Sequence, residues 1–278
     1  MITVKDMAFS YRKKTELFRD MNLSLFPGSI YGLLGKNGAG KTTLLKLMSG
    51  LSFPHEGSID VGGFTPSDRD VSFLADVFFL GEEIYVAERT PQDMENYLAP
   101  FYPAFDKTLF HQVLEKFEVK FTDKLHQLSY GQKKKAMIAF AIACNTKYLF
   151  LDEPTNGLDI PSKALFRSII ASTYDESRII IISTHQVRDL QSLIDKVIIL
   201  NDGEIQFNVS LDTVSEKLTF GHGGIIPKGL EILYCGAGEM GKSFILKNNS
   251  HTQGQVDLET LFNGFISDPQ TFNKILKA

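Results

Sequence analysis

The eight residues Gly35-Lys-Asn-Gly-Ala-Gly-Lys-Thr42 lie between an apolar run, SIYGLL, and the stretch KTTLLKLMSG, in which Leu44, Leu45, Leu47 and Met48 form one apolar face and Gly50 supplies a stop. This order of strand, glycine loop and helix fits the phosphate-binding pattern G-x-x-x-x-G-K-[ST] residue for residue. Glycines let successive backbone N–H groups turn inward around phosphate oxygens, and the following helix points its partial positive charge at them. A second match, GAGEMGKS at Gly236 to Ser243, is followed by SFILKNNSHTQG, which alternates briefly and then breaks. It lacks the helix, and no later strand ends in an acidic residue to hold a magnesium ion. The second match therefore reads as a β-hairpin turn, leaving one nucleotide site per chain.

With 278 residues, 43% of them hydrophobic and 22% charged, the chain fits one main α/β domain and a small addition. The longest apolar runs, in RIIIISTH and KVIILND, are of strand length and far short of the ~20 residues of a membrane helix. The N-terminal MITVKDMAFSYRKK alternates like a strand and carries no secretory signal pattern, so a cytoplasmic location is expected. Cys144 and Cys235 have no C-x-x-C spacing or histidine cluster and read as two buried, reduced thiols. A net charge of −4 weighs against a nucleic-acid partner.

ITVKDMAFSY, FRDMNLSLF and SIYGLLG read as strands, with a Pro27-Gly28 turn before the third. From about Glu83 to Asn145 the pattern is helical, with Thr90 and Pro91 opening the first helix and SYGQKKKAMIAFAIAC closing the block. Strands return at KYLFLD, RIIIIST and KVIILND, separated by helices near Ser162–Thr173 and Val187–Leu193, which implies a mostly parallel sheet. Beyond Asn208 come LDTVSEKL, a GHGG tract, a strand pair around LEILYC and SFILKN, and two short helices.

Four motifs follow the first glycine loop in order: LSYGQKKK from Leu128, YLFLDEP ending at Pro154, NGLD from Asn156, and ISTHQ containing His185. With them, residues 1–215 resemble the ATP-binding subunit of ABC transporters. The resemblance implies an α/β P-loop NTPase core of ABC ATPase type, an antiparallel β subdomain, a helical insert over about 83–145, and a small C-terminal α+β appendage over 216–278. It implies ATP and Mg²⁺ as cofactors. Backbone N–H groups of Asn37, Gly38, Ala39, Gly40, Lys41, Thr42 and Thr43 would cradle the phosphates, with Lys41 on the β- and γ-phosphates and Thr42 on Mg²⁺. Asp152 would hold Mg²⁺ through water, Glu153 would be the general base, and His185 would sense the γ-phosphate and orient the water. Tyr11 matches the aromatic on which adenine stacks.

LSYGQ departs from the commoner LSGGQ at Tyr130, while Ser129 can still cap a helix and Gly131 still permits close approach of backbone to phosphate. The resemblance has Ser129, Gly131 and Gln132 meeting ATP bound to a partner subunit, so that two subunits sandwich two ATP, and has Asp159 contacting the opposing subunit. Taking VSFLAD as the strand that leads into the insert puts Asp76 where the family has a glutamine, with a register open by about a residue, and the resemblance then makes Asp76 a further residue to meet Mg²⁺ or its water. Phe78, Phe79 and Leu80 read as core, with a permease-facing surface as the second reading. Lys133–Lys135 read as a solvated helix face, with a contact to ATP or permease as the alternative. The resemblance implies a membrane permease partner and a peripheral place on the cytoplasmic face of the membrane. FYPAFD and the tail VDLETLF resemble the antibiotic-export branch. A soluble ABC ATPase acting on ribosomes, nucleic acid or a protein assembly is the rival reading. A scaffold that hydrolyses little is the third, opposed by the intact Lys41, Asp152, Glu153 and His185.

Overall fold

The computed structural model describes residues 1–12, 15–84, 89–223, 231–238, 241–248 and 254–277. β1 (Ile2–Arg12), β2 (Thr15–Leu25) and β4 (Glu56–Val61) make an antiparallel sheet in the order β2-β1-β4. The central sheet contains β3 (Ser29–Leu34), β5 (Val77–Leu80), β6 (Tyr148–Asp152), β7 (Ile179–Thr184), β8 (Lys196–Asn201) and β9 (Glu204–Ser210). Its order is β5-β6-β7-β3-β8-β9, parallel throughout except for the antiparallel edge strand β9.

The four isoleucines that open β7 suit a strand buried on both faces, and all six of its residues, Ser183 and Thr184 included, are buried. Because side chains alternate across a strand, neighbours feed opposite cores. Ile180, Ile182, Leu149 and Leu151 join one cluster with the helical insert, while Ile179, Ile181, Tyr148 and Phe150 join another with the antiparallel sheet and α1 (Lys41–Met48).

The insert carries α3 (Pro91–Tyr97), opened by a Thr90/Asp93 capping box, α4 (Lys107–Lys116), capped by Asp106, and α5 (Tyr130–Ala143). Phe78 from β5 packs within 6.0 Å of Phe140 and 5.5 Å of Tyr102, so the insert is fastened to the sheet edge by aromatic rings. Phe78 and Leu80 are buried and Phe79 half-buried, which matches the core reading.

Four expectations change. VSFLAD is not a strand: it forms α2 (Val71–Asp76), with Asp70 accepting a hydrogen bond from the Ser72 N–H, and the strand is the following VFFL. The helix expected over Val187–Leu193 is only a 3₁₀ turn, Val187–Leu190. LTFGHG supplies an unexpected strand, β10 (Leu218–Gly223), next to β12 (Gly241–Lys247), which pairs in turn with β11 (Ile232–Gly238). Cys144 is buried, and burial pushes its thiol up, but Cys235 is exposed on the edge strand β11. Its neighbour Tyr234 faces the helix over that sheet, so alternation turns Cys235 outward.

The second glycine motif lies in the β11–β12 hairpin, where Ala237 pairs with Lys242 and Gly238 with Gly241. Its central Glu239 and Met240 lie outside the described residues. Lys242 belongs to a strand and is exposed, so this motif has no helix behind it.

The chain continues from α6 (Ile160–Ser172) through α7 (Leu211–Lys217) to α8 (Leu258–Ser267) and α9 (Pro269–Lys277). The expected 215/216 boundary falls inside α7, and Leu218, Ile245, Leu261, Phe265 and Phe272 share one apolar cluster with Leu190, Val197 and Phe207. Among the described residues no helix is long and apolar enough to cross a membrane.

Candidate nucleotide-hydrolysis site

The sheet brings its functional residues together at the C-terminal ends of β3, β6 and β7, where ligands bind in open α/β sheets. The loop after β3 is shaped by Gly38 (φ 82°) and Gly40 (φ 104°). A Cβ at Gly40 would stand 2.6 Å from the Phe18 ring. From α2 to α8 each α-helix has an N-cap side chain accepting a backbone N–H, namely Asp70, Thr90, Asp106, Ser129, Asp159, Ser210 and Asp257. The N-cap of α1 is Gly40, which has no side chain to offer. Its first-turn N–H groups therefore suit an anion from outside the chain.

Lys41 is only 7% exposed, and its Nζ donates to the carbonyl oxygens of Gly35 at 2.8 Å and Lys36 at 3.3 Å. Burial lowers its proton affinity, opposed by the carboxylates of Glu153, Asp152 and Glu82. Asn37 and Gly38 are exposed and Ala39 and Thr42 half-buried, while Thr43 is buried. The Thr43 hydroxyl lies 2.7 Å from the Tyr11 hydroxyl, which fixes this exposed ring beside the loop.

Asp152 ends β6 on the face that Phe150 shares with α1. It accepts hydrogen bonds from Thr42 Oγ1 at 2.7 Å and from Ser183 Oγ at 2.5 Å. Glu153 leaves the pleat with φ 45°, a left-handed conformation unusual for a non-glycine residue, and its N–H donates to the Ser183 carbonyl. This turn brings both adjacent carboxylates to the same rim. Glu153 Oε1 accepts from the His185 N–H at 2.9 Å and lies 2.8 Å from His185 Nδ1, while Oε2 accepts from Thr184 Oγ1 at 3.1 Å. A buried carboxylate and a partly exposed imidazole are thus in contact at the site mouth.

The arrangement fits ATP and Mg²⁺. Thr42 offers a hydroxyl oxygen and Asp152 a carboxylate that would reach Mg²⁺ through water, the small share that Mg²⁺ takes from protein when phosphates and water complete its shell. Lys41 is a buried cation whose described hydrogen bonds go to neutral carbonyls, and phosphate oxygens would satisfy it better.

The structure corrects the assignment of Asp76. That residue ends α2 directly before the N-terminal end of β5, the whole strand away from the rim where Glu82 lies, and it pairs with Lys147 at 2.6 Å. Glu82, just beyond the other end of β5, stands at the rim instead, accepting from Asn156 Nδ2 at 2.9 Å. The misassignment came from taking the helical VSFLAD as the strand.

Ser129 caps α5 and shares a capping box with Gln132. Ser129 and Gln132 are exposed, and the Gly131 backbone lies so near Gly157 that a Cβ would approach its carbonyl to 2.8 Å. Tyr130 covers Gly157 and donates its hydroxyl to the Glu82 carbonyl at 2.8 Å. Burial, and then Glu82 and Glu83, raise its proton affinity. The solvated-face reading of Lys133–Lys135 fails at Lys134, which is fully buried and donates to the Gly81 and Glu82 carbonyls at 3.2 Å each. Lys133 and Lys135 are half-buried, with Lys135 3.5 Å from Asp159.

The ABC transporter family model matches residues 18–156, half of the chain. An ABC transporter ATP-binding protein, NatA of Bacillus subtilis (strain 168), is 30% identical over 227 residues, covering 78% of this chain and 92% of NatA. The chain belongs to the ABC transporter family. It is an ATP-binding subunit of that family and an ATPase. The SkfA peptide export ATP-binding protein SkfE of the same organism is also 30% identical, over 222 residues, with 78% and 92% covered. In fold the cassette is similar to the ATP-binding cassette MJ0796 in a dimeric post-hydrolysis state bound to ADP and Pi, with TM-score 0.67, 22% identity, and 76% and 99% of the two chains covered.

Sequence reasoning did not single out Glu82, Ser183, Thr184 or Phe262, and it read Lys134 as solvated. Glu82 follows directly from the strand boundary at Leu80. Lys134 sits one turn into α5 between residues of like charge, and only its position against loop 81–82 distinguishes it. Phe262, from α8, lines the same cavity as Gly35, Lys36, Asn37, Thr184, His185 and Val187.

Proposed function

We propose that this subunit hydrolyses ATP with Mg²⁺ as a homodimer docked on a separate membrane permease at the cytoplasmic face of the membrane, and that it powers export. The observation that carries the hydrolytic part is the contact of Thr42, Asp152, Ser183, Glu153 and His185 at three adjacent strand ends. In this reading Lys41 neutralises phosphate charge, and one such pair at ~4 Å and an effective dielectric near 20 is worth ~4 kcal/mol. Thr42 and, through water, Asp152 would hold Mg²⁺, which would supply positive charge to screen the phosphates. Glu153 takes the proton of the attacking water, a role typically worth ~10²–10⁴-fold in rate, and His185 orients that water. Tyr11 stacks on adenine.

Dimerisation is supported by the surface position of Ser129 and Gln132 and by Asp159, whose side chain is 62% exposed. These residues and Gly131 would meet ATP on the partner subunit or the partner itself. A permease contact is supported by Tyr97 and Phe101 of the insert, both largely exposed beside Arg89. Export is favoured by the likeness to SkfE. The division into residues 1–215, with the insert at about 83–145, and an appendage at 216–278 is kept as a functional one, motor and addition.

Glu153→Gln tests the hydrolytic reading: ATP binding is retained, turnover falls by at least ~10²-fold, and an ATP-bound dimer accumulates by size-exclusion chromatography. Unchanged turnover would remove Glu153 from its role. Recovery of a polytopic membrane protein with the tagged subunit from solubilised membranes would support the permease reading, and recovery with ribosomes or nucleic acid would overturn it.

A further inference from the structure

His185 is followed at once by the 3₁₀ turn Val187–Leu190, and that turn is held from two sides. On the cassette side, Asp189 accepts from Thr155 Oγ1 at 3.0 Å and Lys163 Nζ at 2.7 Å. Gln186 accepts from Lys163 at 2.9 Å and donates to Asn156 at 3.1 Å.

On the other side the fastening comes from the C-terminal segment. Arg188 Nε donates to Glu259 Oε2 at 2.6 Å, and Gln191 Nε2 donates to the Val256 carbonyl at 2.9 Å. Leu190, fully buried, belongs to the same apolar cluster as Leu258, Leu261 and Phe265 of α8. Asp257 caps α8 by accepting from the Glu259 and Thr260 N–H groups, which fixes the helix start where Glu259 meets Arg188. One turn further along α8, Phe262 reaches the cavity between the glycine loop and His185. The C-terminal segment thus touches the histidine turn by charge, by backbone and by packing, and it closes one wall of the nucleotide site.

We infer that α8 sets the position of the His185 turn, with Glu259 and Phe262 as positioning residues for ATP hydrolysis. The inference rests on the hydrolytic reading above. Among the described residues no hydrogen bond or ion pair joins Glu259 to the glycine loop, so removing its charge loosens the turn without removing a nucleotide contact. Phe262 bounds the space into which His185 must move when it exchanges Glu153 for a phosphate oxygen. Its loss widens that space and leaves more positions open to the ring.

The test uses the full chain with Glu259→Gln, Glu259→Asp, Phe262→Ala and Phe262→Leu. Both Glu259→Gln and Phe262→Ala are expected to lower kcat about fivefold while KM for ATP stays within about twofold, and the conservative Asp and Leu variants recover most of the loss. In nucleotide-free protein, amide exchange across residues 186–193 is expected to rise about fivefold in Glu259→Gln, with exchange in β6 and β7 unchanged. Glu259 is only half-exposed and belongs to none of the apolar clusters, so its substitution leaves the core intact even if Phe262→Ala destabilises α8. Unchanged kcat and unchanged exchange in Glu259→Gln would overturn the inference, as would a loss confined to KM. Wild type and Glu153→Gln run alongside separate the two readings. Hydrolysis abolished by Glu153→Gln but untouched by Glu259→Gln sinks only the positioning role, whereas hydrolysis unaffected by Glu153→Gln sinks the base assignment beneath it.

Discussion

Replacing Lys134 with methionine is expected to stabilise the protein at neutral pH, because the lysine is held in the fold at an electrostatic cost. Its ammonium is fully buried between α5 and loop 81–82, and burial pulls its pKa from the ordinary 10.5 to about 8, despite opposing help from Asp152, Glu82 and Glu153. At about 1.4 kcal/mol per tenfold change in proton affinity, that displacement corresponds to about 3 kcal/mol. Methionine matches the stem in length and flexibility and carries no charge. It also leaves the Gly81 and Glu82 carbonyls without this donor, at roughly 1 kcal/mol each. The net gain at pH 7 is about 1 kcal/mol.

The pH dependence is the sharper test. The folded state releases the Lys134 proton near pH 8, whereas the unfolded chain keeps it until about 10.5. Between these values the unfolded state binds more protons, so the wild type gains stability as pH rises. From pH 7 to pH 9.5 it should recover about 2 kcal/mol relative to Lys134→Met, turning the variant's advantage into a deficit of about 1 kcal/mol. Urea denaturation of both nucleotide-free proteins at the two pH values measures this. A stability difference that stays constant with pH would refute the buried, proton-releasing lysine.

Asp76→Ala should leave ATP turnover within about twofold of wild type and cost at most about 1 kcal/mol, since it loses only a partly exposed pair with Lys147; a tenfold loss in a hydrolysis assay would return Asp76 to the site. Tyr130→Phe removes the hydroxyl donated to the Glu82 carbonyl and should lower the unfolding free energy by about 1 kcal/mol, read from the denaturation midpoint. Gly40→Ala combines a left-handed φ of 104° with a Cβ 2.6 Å from the Phe18 ring, so it should lose at least about tenfold in ATP affinity by fluorescent-nucleotide titration.

What sequence alone determined was local. The glycine loop, its helix, the apolar strands and the Ser129 cap each depend on residues within a few positions of one another, and backbone sterics and side-chain period act over that range. The demotion of GAGEMGKS worked for the same reason: a phosphate loop needs the helix that follows it, and that helix is readable. The adjacent Asp152 and Glu153 were legible as a pair, but the turn at φ 45° that brings both to one rim is a product of pairing with Ser183. Asp76 and Glu82 differ by six residues in a stretch where α2 and β5 are both apolar, and only pairing with β6 shows which run is the strand. Lys134 has the same side chain as its neighbours, and its burial depends on a loop some fifty residues earlier. β10 finds its partner about twenty-five residues away, and Phe262 reaches the glycine loop from more than two hundred residues away. Those placements arise when distant surfaces exclude water together, and that choice is made by the assembled core rather than by any short stretch of chain.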